Sequence, residues 1–285
     1  MSMMYGMDIS VWQGNIDIAK HKPEFVIIRA GVGRSLDGKA ARNMDECERL
    51  GIPYGVYWYS YALNVDDAKA EAAACLEAIK GRRISVGVWY DMEDADGYKA
   101  RNGAMRKSLI GAMSYAFCEI IEAAGYYAGI YAALSWLKEG WFPDCERFDK
   151  WVACWGTNSG QRNTDTSAYG TLHQYAGDIT RHGDRIDLDV CYADLSRYQT
   201  GTAPEPKPTL PIFWPPRALD KGMTGQDVSV MQALLQARGY YTAGITGTVD
   251  ETTDEAIRAF QKDAGLTEDG VCGPLTWAAL VKINT

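Results

Sequence analysis

From residue 4 to about 137 the chain alternates short runs rich in β-branched and aromatic residues with longer stretches of helical period. That alternation is the mark of βα units around a parallel sheet, and it constrains the fold more than any other feature. The runs that read as strands are Tyr5 to Ser10, Phe25 to Ala30, Tyr54 to Tyr61, Val86 to Asp91 and Ala128 to Ala132. Helical patterns lie between them, most clearly Val65 to Lys80 and Arg106 to Ala124, each followed by a glycine at 81 or 125. After Leu137 the helical period fades, and three more strand-like runs follow: Trp151 to Trp155, Leu172 to Tyr175 and Asp187 to Tyr192. Eight strands in about 195 residues predict an α/β fold, an irregular (β/α) barrel with about five helices, smaller than the usual barrel of roughly 250 residues. In such barrels the working groups gather at the C-terminal ends of the strands.

Between Tyr198 and Pro216 the composition shifts to Thr-Gly-Thr-Ala-Pro-Glu-Pro-Lys-Pro, which favours extended polyproline geometry and reads as a semi-rigid linker. Two offset copies of one motif follow, Gly247-Thr-Val-Asp-Glu-Thr-Thr-Asp-Glu-Ala-Ile and Gly270-Val-Cys-Gly-Pro-Leu-Thr-Trp-Ala-Ala-Leu. They imply two similar turn-to-helix units, with Thr252 and Glu255 expected to form a capping box. A third helix, Val228 to Arg238, carries Val228, Met231, Leu234 and Leu235 on one face and stops at Gly239. The expected organisation is a barrel over residues 1–199, a linker over 200–216 and a small all-α three-helix domain over 217–285.

Composition removes several classes of function. A net charge of −8 argues against a nucleic-acid partner, which demands clustered Lys and Arg. Seven cysteines without a CxxC pair and three unpaired histidines disfavour a zinc enzyme, so no metal and no cofactor are expected. Cys75 and Cys118 fall inside apolar patterns and read as buried thiols. No run approaches the roughly twenty apolar residues of a membrane span, and the first residues lack the pattern of a signal peptide. Synthesis in a cytoplasm is the expectation, with no membrane and no obligate protein partner.

Carboxylates end several of the strands. Asp91 and Glu93, two apart in an extended segment, would face one side with Cα atoms about 6.5 to 7 Å apart. Two carboxyls sharing a site raise the proton affinity of one of them, creating an acid and a base at neutral pH. Taken alone the pair also fits an acidic strand end, with Asp94 and Asp96 beyond it. Asp8 at the end of the first strand and Ile186-Asp187-Leu188-Asp189 at the start of the last would bring further acids to the same barrel mouth. Tyr57, Tyr59 and Tyr61 would share one strand face, with Tyr131 and Trp155 also pointing inward; aromatic faces suit sugar rings, though barrel interiors also need filling.

The segments Gly6-Met-Asp-Ile-Ser-Val-Trp-Gln-Gly14, Gly55-Val-Tyr-Trp-Tyr, Tyr90-Asp-Met-Glu93, Gly129-Ile-Tyr131, His173-Gln-Tyr175 and Ile186-Asp-Leu-Asp189 resemble the Chalaropsis-type muramidases, the family 25 glycoside hydrolases. The resemblance implies cleavage of the β-1,4 bond between N-acetylmuramic acid and N-acetylglucosamine. It implies Glu93 as general acid, Asp91 as its charged helper, and Asp8 and Asp187 completing an acidic cleft. Asp189 stands as the alternative to Asp187. Tyr57, Tyr59, Tyr131, Gln174 and Trp155 are the expected substrate contacts. With no separate nucleophile evident, the reading leans towards participation of the substrate's own acetamido group.

The tail resembles the three-helix peptidoglycan-binding domain through Lys221-Gly-Met-Thr-Gly-Gln-Asp-Val, Met231-Gln, Phe260-Gln and the run from Gly265 to Trp277. It departs from that pattern at Thr246-Gly-Thr-Val-Asp250, where the family usually has Asp-Gly-x-Phe-Gly. Peptidoglycan is thus the implied partner of both parts. A chitinase-like barrel would need aspartates at positions 89 and 86, where Trp89 and Val86 stand. A phage endolysin released through a holin-made hole is the expected setting; a bacterial autolysin and a catalytically silent wall-binding protein are the rivals.

Overall fold

The computed structural model describes residues 3–198 and 218–281. The chain divides into two compact units, Met1–Glu205 and Pro206–Thr285. The expected linker over 200–216 lies outside the described residues.

The first unit is a closed barrel. Its strands are β1 (Met4–Ile9), β2 (Phe25–Val32), β3 (Ser35–Leu36), β4 (Tyr54–Tyr59), β5 (Val88–Asp91), β6 (Ala128–Ala133), β7 (Asp149–Ala153), β8 (Leu172–Arg181) and β9 (Asp184–Cys191). They run in the order β1-β9-β8-β7-β6-β5-β4-β2-β3, and a β1–β2 pairing closes the ring. The two-residue β3 is a short hairpin on β2, which leaves eight staves as expected. Around them lie α1 (Ile18–His21), α2 (Ala40–Leu50), α3 (Val65–Ala78), α4 (Tyr98–Arg101), α5 (Lys107–Ala123) and α6 (Leu134–Lys138). Three of these six exceed five residues, against the expected five or so.

Period-two alternation splits the side chains into two cores. Outward residues such as Met7, Ile9, Val56, Trp58, Val88, Tyr90, Met92 and Ile130 pack under the helices. Inward residues such as Phe25, Ile27, Tyr57, Trp89, Tyr131, Trp151 and Leu172 fill the barrel. Rings this large fit because glycines face them: a Cβ on Gly6 would sit 2.6 Å from the Phe25 ring.

The final strand departs from a parallel barrel. β9 runs antiparallel to both β8 and β1, and β8 extends six residues past Tyr175 to form a hairpin with it. The start of β9, rather than its end, therefore stands at the mouth where β1 finishes.

The second unit holds α7 (Gln226–Ala237), α8 (Glu251–Asp263) and α9 (Pro274–Val281) around Val228, Met231, Leu235, Ile257, Phe260, Trp277 and Leu280. The repeat has a physical basis. In α7, the Gln232 amide donates to the Thr248 carbonyl at 3.0 Å and Thr253 Oγ1 at 2.9 Å, and accepts from the Gly247 N–H at 2.9 Å. In α8, Gln261 donates to the Val271 carbonyl at 2.9 Å and Thr276 Oγ1 at 3.1 Å, and accepts from the Gly270 N–H at 2.9 Å. Each buried glutamine thus ties its helix to the turn and first helical residues that follow. The expected capping box at Thr252 and Glu255 is misplaced: Asp250 is the N-cap, its carboxylate accepting from the Thr253 N–H at 2.9 Å.

Candidate active site

Strand register assembles the acids. Asp8 lies between Met7 and Ile9, which face the outer core, so its own side chain points into the barrel. Antiparallel pairing sets Asp8 directly opposite Asp187, and Gly6 opposite Asp189. Asp8 is 3% exposed and Asp189 fully buried, whereas Asp187 is half-buried and accepts a 2.5 Å hydrogen bond from the Asp178 N–H. Across the mouth Asp91 ends β5 at 4% exposure, Met92 turns into the outer core, and Glu93 follows half-buried. Both groups of acids act on one another: Asp187 raises the proton affinity of Glu93, and Tyr131 senses Glu93, Asp91, Asp8 and Asp187 together.

The turn after β1 explains the motif Ser10-Val-Trp-Gln-Gly14. Ser10 caps the 3-10 turn Val11–Gln13, its Oγ accepting from the Trp12 N–H at 3.2 Å while Gln13 Oε1 accepts from the Ser10 N–H at 2.8 Å. Gly14 supplies the positive φ of 62° that ends it. Gln13 then donates to the Arg185 carbonyl at 3.1 Å, fastening this loop to the start of β9.

Among the expected substrate contacts, Gln174 is buried and both ends of its amide are engaged. Its Nε2 donates to Asp8 Oδ2 at 2.7 Å, and its Oε1 accepts from the Tyr131 hydroxyl and the Trp155 indole, each at 2.8 Å. Gln174 thereby orients Asp8. Tyr57 and Tyr131 are buried against Trp151. Trp155, 43% exposed, and the half-buried Tyr59 leave ring surface open to solvent. Tyr61 turns aside, its hydroxyl donating to Asp96 at 2.7 Å.

The cleft favours protonated carboxyls. Burial, then the charge of Glu93, pushes Asp91 well above the usual carboxylate range, against the pull of Lys99 and Arg29. Burial also raises Glu93, with Lys99 opposing and Asp96, Asp187 and Asp94 adding to the rise. Burial followed by Asp187 and Asp189 raises Asp8, burial lifts Asp187 to about 6, and burial lifts Asp189 to about 8. Asp91 therefore holds a proton more firmly than an ordinary aspartate. Its Oδ1 is buried and has no hydrogen-bond partner among the described residues.

Asp189, the expected alternative to Asp187, accepts from the Trp151 indole at 2.8 Å and raises the proton affinity of Asp8, so it belongs to the cluster alongside Asp187. Arg29, an inward charge in an apolar strand, donates to Asp37 at 2.7 Å, and Asp37 also accepts from the Val11 N–H at 3.0 Å. That charged residue among Val26, Ile27 and Ile28 was a usable signal. Trp12 projects from the turn after β1, 82% exposed. Among the described residues no group of three or more His, Cys, Asp or Glu is placed to hold a metal ion, and no helix is long and apolar enough to cross a membrane.

Known proteins match the two units separately. The model for glycosyl hydrolases family 25 matches residues 7–184, and that for a putative peptidoglycan binding domain matches residues 224–280. An autolytic lysozyme of Clostridium acetobutylicum is 24% identical over 98% of this chain and 79% of its own length. An N-acetylmuramoyl-L-alanine amidase, CwlM of Mycobacterium tuberculosis, is 41% identical over 61 residues, which are 21% of this chain and 15% of that protein. The modular autolysin LytC of Streptococcus pneumoniae, solved with a synthetic peptidoglycan ligand, superposes with a TM-score of 0.56 at 26% identity, covering 67% of this chain and 47% of that one. The chain thus spans less than half the length of these last two proteins. With more than half of its residues matched by the family model, and with the barrel and acidic mouth described above, the chain belongs to glycosyl hydrolase family 25.

Proposed function

We propose that this chain is an N-acetylmuramidase that hydrolyses the β-1,4 bond between N-acetylmuramic acid and N-acetylglucosamine. On this reading the hydrolase occupies residues 1–199, a linker 200–216 and a peptidoglycan-binding domain 217–285. The tail raises the local concentration of substrate at the barrel mouth by tethering.

The observation that carries the assignment of roles is the buried, unpartnered Oδ1 of Asp91 beside a solvent-accessible Glu93. A buried carboxylate oxygen without a donor is costly until one arrives. The N–H of a substrate acetamido group is such a donor. Its hydrogen bond favours the charged form of Asp91 and moves the shared proton towards Glu93. Glu93 then protonates the glycosidic oxygen as the acetamido carbonyl attacks the anomeric carbon, and water opens the resulting ring with Glu93 as base. Asp187, lifted only to about 6, gives the opposite wall a negative charge suited to the positive charge that develops on the sugar, with Asp8 beside it. Tyr59 and Trp155 offer the open ring faces for the saccharide.

The test is Glu93→Gln. The variant is expected to bind purified cell walls as the parent does and to lose lysis by at least about a hundredfold, the scale of a lost general acid. Undiminished lysis would remove Glu93 from the role. We further propose a phage endolysin as the setting. A bacterial autolysin is the second reading, favoured by the near full-length likeness to the clostridial autolytic lysozyme. A holin gene beside this one decides for the former.

A further inference from the structure

A buried polar network lies behind the acidic pair, outside the cleft. Its centre is Lys99 of α4, a lysine only 1% exposed. Its ammonium donates to the Glu93 carbonyl at 3.1 Å and to the Ser60 carbonyl at the end of β4. Asp94 folds the intervening loop onto the same helix, its carboxylate accepting from the Lys99 N–H at 2.6 Å and the Ala100 N–H at 3.1 Å. On the far side Glu71 of α3, also buried, accepts from the Tyr61 N–H at 2.8 Å and from the Tyr90 hydroxyl at 2.6 Å. The Tyr90 hydroxyl in turn accepts from Ser60 Oγ at 2.9 Å. The segments after β4 and β5 are thus tied together through one side chain.

An ammonium has three hydrogens and accepts nothing, so a buried lysine survives only among acceptors and negative charge. Lys99 meets both: two carbonyls, and the carboxyls of Glu71, Asp91, Asp94 and Glu93. The charges that act most strongly on Glu93 are those of Lys99, Asp96, Asp187 and Asp94, and among these Lys99 is the positive one. Those acting on Asp91 are Glu93, Lys99 and Arg29. Glu71 is lifted to about 7 by burial, so its own charge varies near neutrality.

We propose that Lys99 is the positioning residue of the proton donor, its ammonium pinning the Glu93 main chain to the end of β4 and holding a positive charge behind the Asp91–Glu93 pair. The inference rests on the reading of Glu93 as general acid. It separates two jobs, a clamp made by the N–H donors and a field made by the charge.

The experiment compares pH–activity profiles on purified cell walls for the parent, Lys99→Gln and Lys99→Arg, with circular dichroism confirming the fold. Lys99→Gln keeps N–H donors and removes the charge. Both limbs of its bell are expected to move up by about one pH unit, since both carboxyls then hold their protons more tightly. Lys99→Arg keeps the charge and is expected to hold the limbs within about 0.3 unit of the parent while lowering the maximal rate. A folded Lys99→Gln variant with parental limbs overturns the inference. So does a folded Lys99→Arg variant with displaced limbs, which decides the matter even if Lys99→Gln does not fold. Glu93→Gln, run alongside, keeps the two questions apart. If it still lyses walls, the donor assignment fails whatever Lys99 does; if it is silent and the Lys99 limbs stay put, only the role of Lys99 fails.

Discussion

Replacing Asp189 by Asn should stabilise the barrel, and by an amount that depends on pH. The carboxyl is fully buried, receives the Trp151 indole on Oδ1, and leaves Oδ2 without a partner beside Asp8. An amide keeps the acceptor for Trp151 and turns the orphan oxygen into an N–H that can donate to Asp8. Because burial raises the folded-state value to about 8 from 3.8, folding at pH 7 must supply a proton that the unfolded chain has released. A shift of that size sets a ceiling of about 4 kcal/mol at pH 7. Sharing of protons with Asp8 and Asp187 lowers the realised figure, and we expect about 2 kcal/mol, or roughly 4 to 8 °C in Tm for a domain of this size. The gain should be small below about pH 3, where Asp189 is protonated in both states, and grow steadily from there to pH 8. Differential scanning calorimetry of the full chain at pH 4.5, 6 and 8 reads this directly. A gain independent of pH, or a loss of stability at pH 8, would refute the claim that Asp189 is a strained buried acid.

Other expectations follow from the same geometry. In the parent protein Glu71, Asp187 and Asp189 all have raised folded-state values, so stability should fall as pH rises from about 4 through 8; a thermal-melt series that rises over this window contradicts the burial argument. A Cβ on Gly55 would lie 2.6 Å from the Val86 carbonyl oxygen and 2.7 Å from that of Gly87, which are main-chain atoms that cannot swing aside. Gly55→Ala should therefore cost about 3 kcal/mol, visible as a lowered Tm. In the second unit Gln232→Leu should orphan the Thr246 and Gly247 N–H groups, lowering wall binding and the unit's melting temperature while leaving cleavage of soluble glycan fragments intact.

Much of the barrel was legible in the sequence because period-two strands announce both their existence and their inward face. Asp8, Asp91 and Asp187 stand inward as that period requires. Strand direction was not legible: alternation is the same whichever way a strand runs, so the antiparallel course of β9 emerged only from its pairing with β1 and β8. The same period put Asp187 and Asp189 on one face and could not separate them; depth in the barrel does, leaving Asp189 buried and Asp187 nearer the mouth. Gln174 was legible as a site residue but not as the hydrogen-bond hub of Asp8, because its three partners come from β1, β6 and the segment after β7. Lys99 carried no signal, since it sits in a short polar stretch that reads as solvent-facing surface, and Glu71 stands in an alanine-rich helical run where a single acid gives no hint of its partners. In the second unit the cap expected at Thr252 falls two residues earlier, at Asp250, whose side chain reaches the Thr253 N–H.

The central claim is the bond that is broken. Purified peptidoglycan digested by the full chain, reduced with borohydride and analysed by mass spectrometry should yield glycan fragments ending in reduced N-acetylmuramic acid, with none from a Glu93→Gln digest. Fragments ending in reduced N-acetylglucosamine, or free stem peptides without glycan cleavage, would contradict the account.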